Sequence, residues 1–129
     1  MPAAKKNLTI EQGATWRDSY TLLQPAPVGT PIADMLPIDL TGYSAKMQVR
    51  PDYASTTVLV ELTTENDGIT ITPASGKIDL YISDADTAVL TFTADPAVYD
   101  LELVPPAPGG DVIRLLRGTV TLSPEVTKP

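Results

Sequence analysis

Residues 43–50, Tyr43-Ser44-Ala45-Lys46-Met47-Gln48-Val49-Arg50, alternate without a break: Tyr43, Ala45, Met47 and Val49 lie on one side, Ser44, Lys46, Gln48 and Arg50 on the other. Successive side chains of an extended chain point to opposite faces, so the spacing predicts a half-buried strand. Downstream, Val58, Val60 and Leu62 alternate with Leu59, Glu61 and Thr63, and Ile78, Leu80 and Ile82 alternate with Asp79 and Tyr81. Between them Ile69-Thr70-Ile71-Thr72 leads into Pro73-Ala74-Ser75-Gly76, with proline early and glycine late as a turn requires, which predicts a hairpin. Upstream, Leu8 and Ile10 mark one short strand, and Trp16, Tyr20 and Leu22 mark another after Gly13. Asp18 interrupts the apolar phase of the latter, as a bulge or an edge position would.

At the other end of the chain Tyr99, Leu101 and Leu103 alternate with Asp100 and Glu102, and a return strand follows the sequence PPAPGG. On that return Ile113 and Leu115 carry the apolar phase first, whereas Val120 and Leu122 carry the opposite parity later. A one-residue bulge at Gly118 would restore the buried phase and leave Glu102 opposite Arg114. The 13 prolines fall outside all these segments, consistent with their inability to donate to a ladder.

One segment reads as helix, Ser83 to Leu90, with Ser83 as cap, Asp86 at the reciprocal capping position, and Asp84 and Asp86 at the positive end of the dipole. Val89 and Leu90 are expected to close an open end of the sheets. Seven or eight short strands, without a βαβ rhythm, predict an all-β protein: an antiparallel two-layer β-sandwich, Ig-like or jelly-roll-like, with one short helix. A partly open barrel is the alternative. Residues 1–129 read as a single domain with short flexible termini.

Hydrophobic residues at 43% and charged residues at 19% are ordinary for a chain that folds around a core. Cysteine and histidine are both absent, which removes the disulfide framework, the commonest metal ligands and the commonest general base together. The protein is expected not to be an enzyme and to carry no cofactor. A formal charge of -7 disfavours nucleic acid and anionic lipid as partners. No stretch approaches the roughly 20 apolar residues of a membrane span, and no export signal is visible, so neither a membrane partner nor secretion is expected.

The acidic pairs Asp84 with Asp86 and Glu61 with Glu65 are the candidates for acid–base chemistry, and a capping box and a solvent-facing strand end explain them more simply. Neither Asp84-Ala85-Asp86 nor Glu65-Asn66-Asp67-Gly68 extends into a full calcium loop, and Asn-Asp-Gly is a common hairpin turn, so no metal site is assigned. Gly109-Gly110 joins two strands and is a turn rather than a phosphate cradle. Trp16 is expected to be a core or interface anchor. The longest irregular stretch, Gln24 to Pro37, is rich in proline yet too apolar for a solvated linker. Pro25, Pro27, Val28, Pro31, Ile32, Met35 and Leu36 are therefore its candidate partner-docking residues.

Three runs, LTIEQGATWRDSYTL, IDLTGYSAKMQVRPDYASTTVLVELTTENDGITI, and VYDLELV with RLLRGTVTLSPEVT, carry a family resemblance from about Asn7 to Thr127. Its most specific parts are Ile38-Asp39-Leu40-Thr41-Gly42-Tyr43, Gly118-Thr119-Val120-Thr121 and Ser123-Pro124-Glu125-Val126-Thr127. They resemble small phage virion proteins and the N-terminal domain of the phage baseplate upper protein, a β-sandwich that anchors receptor-binding parts to the tail. The resemblance implies a bacteriophage structural protein located in the virion, and in the host cytoplasm during assembly. It would be a tail or baseplate adaptor or fibre-anchoring part without catalytic residues, docking on other virion proteins in symmetric copies such as trimers. The Gln24–Pro37 loop is longer than the turn expected in relatives. Longer relatives continue into a receptor-binding region, so a free-standing adaptor is expected here. A capsid decoration protein is an alternative, and a carbohydrate-binding module is another if Trp16 and the five tyrosines gather on one face.

Overall fold

A computed structural model describes residues 3–91, 96–106 and 109–127. The extreme termini and the middle of the PPAPGG turn lie outside the described residues. The strands are β1 (Ala4–Lys5), β2 (Leu8–Glu11), β3 (Trp16–Thr21), β4 (Ser44–Arg50), β5 (Val60–Thr63), β6 (Ile69–Thr72), β7 (Lys77–Ile82), β8 (Ala97–Val104) and β9 (Ile113–Ser123), with one helix, α1 (Asp84–Ala88), before β8. They form a two-layer sandwich, as the alternation predicts. One sheet runs β1-β9-β8-β4-β5, with β2 also on β9, and the other runs β3-β7-β6. The inner faces supply the core, with Ile10, Met47, Val49, Leu101 and Leu103 from the larger sheet against Ile69, Ile78, Leu80 and Ile82 from the smaller. The Tyr43–Arg50 pattern holds, since Ala45, Met47 and Val49 are buried and Lys46 is exposed.

The expectation of antiparallel strands fails at one place: β1 and β2 run parallel to β9. Ala4 pairs with Leu116 and Leu8 with Val120, a single register interrupted at Lys6 and Asn7. The two short strands are thus one edge broken in the middle, which brings the described strands to nine rather than seven or eight. At the break the Asn7 side chain accepts the Thr119 N–H (3.2 Å), and the Lys6 carbonyl accepts the Tyr99 hydroxyl (2.7 Å).

Glu102 does stand opposite Arg114, but the bulge that produces the phase change is at Leu115 and not at Gly118. Leu101 pairs with Leu116 and Glu102 with Arg114, leaving Leu115 as the extra residue. The Leu115-Leu116 doublet offers an apolar side chain at both parities, so the strand changes phase there with both leucines packed on the core. Gly118 serves a different purpose: a Cβ there would meet the Lys6 carbonyl oxygen at 2.1 Å. Its missing side chain is the space into which the N-terminal strand kinks.

Other expectations are corrected in detail. Val58 lies outside β5 and is exposed. Of the two readings offered for Asp18 the edge position holds: β3 is an edge strand and pairs residue for residue with β7 without a bulge. Asn66-Asp67-Gly68 does not close a hairpin, because it carries the chain from β5 in one sheet to β6 in the other. There the Asn66 amide donates to the Glu61 carbonyl (3.0 Å) and accepts the Thr63 N–H (2.9 Å), so a side chain occupies the outer edge of β5 that another strand would otherwise pair with. The β6–β7 hairpin forms as predicted, on a 3-10 turn over Pro73–Ser75 with Gly76 left-handed at φ 61°.

The helix is capped as expected, the Asp86 N–H donating to the Ser83 hydroxyl (3.1 Å). Val89, however, is exposed, and although Leu90 packs on the core, the fully buried residue is Thr87. Its hydroxyl donates to the Ala14 carbonyl (2.8 Å) and accepts the Gly13 N–H (3.1 Å), satisfying backbone groups of the β2–β3 turn. An isolated helix this short is unstable in water, so these tertiary bonds and its cap hold it.

Asp18 lies on the inner side of β3 at the sheet edge, where an apolar residue would normally face the other layer. It accepts the Lys6 ammonium (2.9 Å) and the Tyr20 hydroxyl (2.5 Å), and the Lys6 ammonium stands 4.8 Å from the Tyr20 ring centre. Lys6 belongs to the larger sheet's edge, so this cluster joins the two layers. Burial raises the Asp18 pKa, but the Tyr20 hydroxyl, the Lys6 ammonium and the Ser19 N–H outweigh it, and the net pKa is lowered. A carboxyl depressed in the folded state contributes stability above its unfolded value of 3.8, and loses it as the pH falls through the folded pKa. Asp18→Asn is expected to unfold with less acid dependence than the wild type over that window. Coincident plots of unfolding free energy against pH would contradict this role.

Candidate docking surface

Strand directions place three connections at one end of the sandwich: residues 22–43 between β3 and β4, 73–76 between β6 and β7, and, of the β8–β9 connection, residues 105–106 and 109–112. Direct contacts tie them together. Leu22 N–H donates to the Gly76 carbonyl (2.8 Å), Leu40 N–H to the Pro73 carbonyl (3.1 Å), and a Cβ on Gly42 would stand 2.8 Å from Pro106.

The first connection holds every candidate docking residue, and several backbone hydrogen bonds lie within it. Leu23 bridges Pro37 in antiparallel fashion, the Gln24 N–H donates to the Leu36 carbonyl (2.8 Å), and the Ile38 N–H donates to the Leu22 carbonyl (2.9 Å). At the tip the Thr30 N–H reaches the Pro27 carbonyl (3.1 Å) across Val28 and Gly29, whose φ of 91° suits the third position of a type II turn. A 3-10 turn over Ile32–Asp34 follows, entered from Pro31 and closed by the Met35 N–H on the Ile32 carbonyl (3.1 Å). The loop is a built finger. It holds Val28 at 107%, Ile32 at 77% and Leu36 at 65% exposure, which directs three large apolar side chains into solvent. Pro25, Pro27 and Pro31 are exposed beside them, and Met35 is half-buried.

The motif Ile38–Tyr43 forms the foot of this finger. Asp39 accepts the Thr41 N–H (3.0 Å) and hydroxyl (2.6 Å), which lowers its pKa and tightens the turn, while Leu40 is buried in the core. Tyr43 N–H then closes back on the Leu40 carbonyl (3.0 Å) as β4 begins. Ile38–Tyr43 therefore anchors the foot of the loop.

Two apolar residues of this end escaped the sequence reading, Val104 at 37% and Val112 at 54% exposure. A signal for the first was present: Val98, Asp100, Glu102 and Val104 share the outward parity of β8, so Val104 is apolar on the wet side. Val112 precedes the strand and lies outside its periodicity.

The remaining candidates are dispersed. Glu61 accepts the Gln48 amide (2.6 Å) and lies 3.8 Å from the Lys46 ammonium, on the outer face of the larger sheet. Asp84 and Asp86 sit in the first turn of α1. No group of three or more acids that could hold a metal ion occurs among the described residues. Trp16 packs against the core, as expected, and Tyr99 is buried, its phenol pushed up to about 12 by burial. Among the described residues the exposed aromatics, Tyr53 and Tyr81, border the outer faces of different sheets, and the Arg17 guanidinium covers the Tyr81 ring at 4.5 Å. They form no common platform.

The strand orders β2-β9-β8-β4-β5 and β3-β7-β6 form an immunoglobulin-like β-sandwich. Among solved structures the chain is similar to a chicken TCR, with a TM-score of 0.51 and 14% identity over 100% of this chain. It covers 56% of that chain's length. At this identity the likeness shows the fold alone. No family model matches the sequence. No curated protein matches it.

Proposed function

We propose that this chain is a docking component of a bacteriophage particle, a tail or baseplate adaptor or fibre-anchoring part that acts by protein–protein contact. The observation that carries the docking reading is the finger of residues 24–37, which displays Val28, Ile32 and Leu36 on a backbone already hydrogen-bonded within itself. Isolated exposed apolar residues are ordinary, but a stiff loop that gathers several of them suits recognition, because little conformational entropy is lost on binding. The Asn66 amide on the β5 edge and the Lys6–Asp18 pair at the β3 edge favour loop contact over strand addition. Assignment to a phage rests on the resemblance carried by Ile38–Tyr43 and by the C-terminal runs.

Purified particles are expected to contain the protein at a copy number divisible by three or six, with gold-labelled antibody marking the tail. A variant with Val28, Ile32 and Leu36 all changed to serine should melt like the wild type, since these side chains are exposed, yet enter particles at least about tenfold less. Absence of the chain from particles would end the phage reading. Undiminished incorporation of the triple variant would end the assignment to the finger, and label on the head would make the protein a capsid decoration.

A further inference from the structure

We propose that the finger and the β8–β9 connection form one composite surface, Val28, Ile32, Leu36, Val104 and Val112 flanked by Asp34 and Asp111, and that its partner is an apolar patch rimmed by lysine or arginine on a different polypeptide. This rests on the docking reading and specifies the chemistry of its partner. The two connections converge through Gly42, whose approach to Pro106 leaves no room for a Cβ. Each brings an exposed aspartate next to its exposed apolar residues: Asp34 lies between Ile32 and Leu36, and Asp111 precedes Val112. Asp39 adds a third carboxylate at the foot, and residues 22–43, 73–76 and 104–112 contain no lysine or arginine. The basic residues nearest in sequence are already engaged, Lys46 with Glu61 (3.8 Å), Lys77 with Asp79 (3.7 Å) and Arg114 with Asp100 (3.5 Å).

An apolar centre with a rim of one sign selects its partner by charge as well as by shape. Two copies of this chain meeting tip to tip would set carboxylates against carboxylates around the apolar contact, and like charges across an interface weigh against that pairing. A basic rim removes the repulsion and adds attraction, strongest within about 8 Å at physiological salt. Symmetric copies of the chain would then associate through another face and leave the tips free.

The test uses the full chain, isotope-labelled, titrated with two synthetic amphipathic peptides of equal length, one of leucine and lysine, the other of leucine and glutamate in the same pattern. The leucine–lysine peptide is expected to shift amide resonances of residues 22–43 and 104–113. Its affinity should fall about tenfold in an Asp34→Asn/Asp111→Asn variant and stay unchanged in Glu11→Gln/Glu125→Gln, which removes the same charge at the β2–β3 turn. Equal losses in both variants would reduce the effect to net charge and overturn the proposal. Equal binding of the leucine–glutamate peptide would overturn the basic rim while leaving apolar docking in place. Shifts confined to the sheet faces would sink the docking surface itself, and concentration-dependent shifts at the tip without peptide would make a second copy the occupant.

Discussion

Replacing Gly118 with alanine is expected to lower the unfolding free energy by about 2–4 kcal/mol, a large effect for adding one methyl group. Gly118 is buried between Tyr99 on β8 and the kink at Lys6, and the new Cβ would stand 2.1 Å from a backbone oxygen. A side chain could swing aside, but here the obstacle is main chain. The Lys6 carbonyl is fixed on one side by the Tyr99 hydroxyl, and the Lys6 N–H donates to the Arg117 carbonyl (2.9 Å). Relief therefore requires the N-terminal edge to move off β9, with loss of the Tyr99 bond and of the Lys6–Asp18 bridge between the layers. Urea unfolding should report the loss, and hydrogen exchange should show residues 4–11 losing protection first. A change below about 1 kcal/mol, with those amides still protected, would mean that the strand does not approach Gly118 this closely.

Leu40→Ala is expected to destabilise the protein by about 2–5 kcal/mol, the range for removing a fully buried leucine side chain. Leu40 is 2% exposed although it belongs to a connection and not to a strand. It fills the end of the core beneath the finger, held by its N–H on the Pro73 carbonyl and by the Tyr43 N–H on its own carbonyl. The cavity would undercut the foot of the docking loop, so the substitution should also weaken the bonds that close it, Gln24 to Leu36 and Ile38 to Leu22. The expected signature is a lowered melting temperature together with faster exchange at the amides of Gln24 and Ile38. A stability loss with the loop amides fully protected would show that the finger stands independently of its plug, and the link between core and docking surface would be withdrawn.

Much of the architecture was legible because it depends on near neighbours in the chain. The alternation over Tyr43–Arg50 placed Ala45, Met47 and Val49 in the core, Pro73 to Gly76 specified its turn, and Ser83 capped its helix. Each of these is a matter of side-chain direction or backbone preference within a few residues. The apolar composition of the Gln24–Pro37 loop likewise pointed to the finger, but not to its shape.

What stayed hidden requires parts of the chain that are distant in sequence. Asp18 looked like an interruption because its partner, Lys6, lies at the break between β1 and β2, on the edge of the other layer. Gly118 looked like a bulge because the carbonyl that excludes its side chain arrives from the opposite terminus. The parallel seating of β1 and β2 on β9, and the approach of Gly42 to Pro106, are likewise set by which sheet each strand joins. The sequence by itself determined which faces are apolar and where the chain turns, since periodicity and turn chemistry are local. Only the tertiary structure decided which edges are closed and which loops share an end, because those outcomes follow from packing between segments that no short-range pattern encodes.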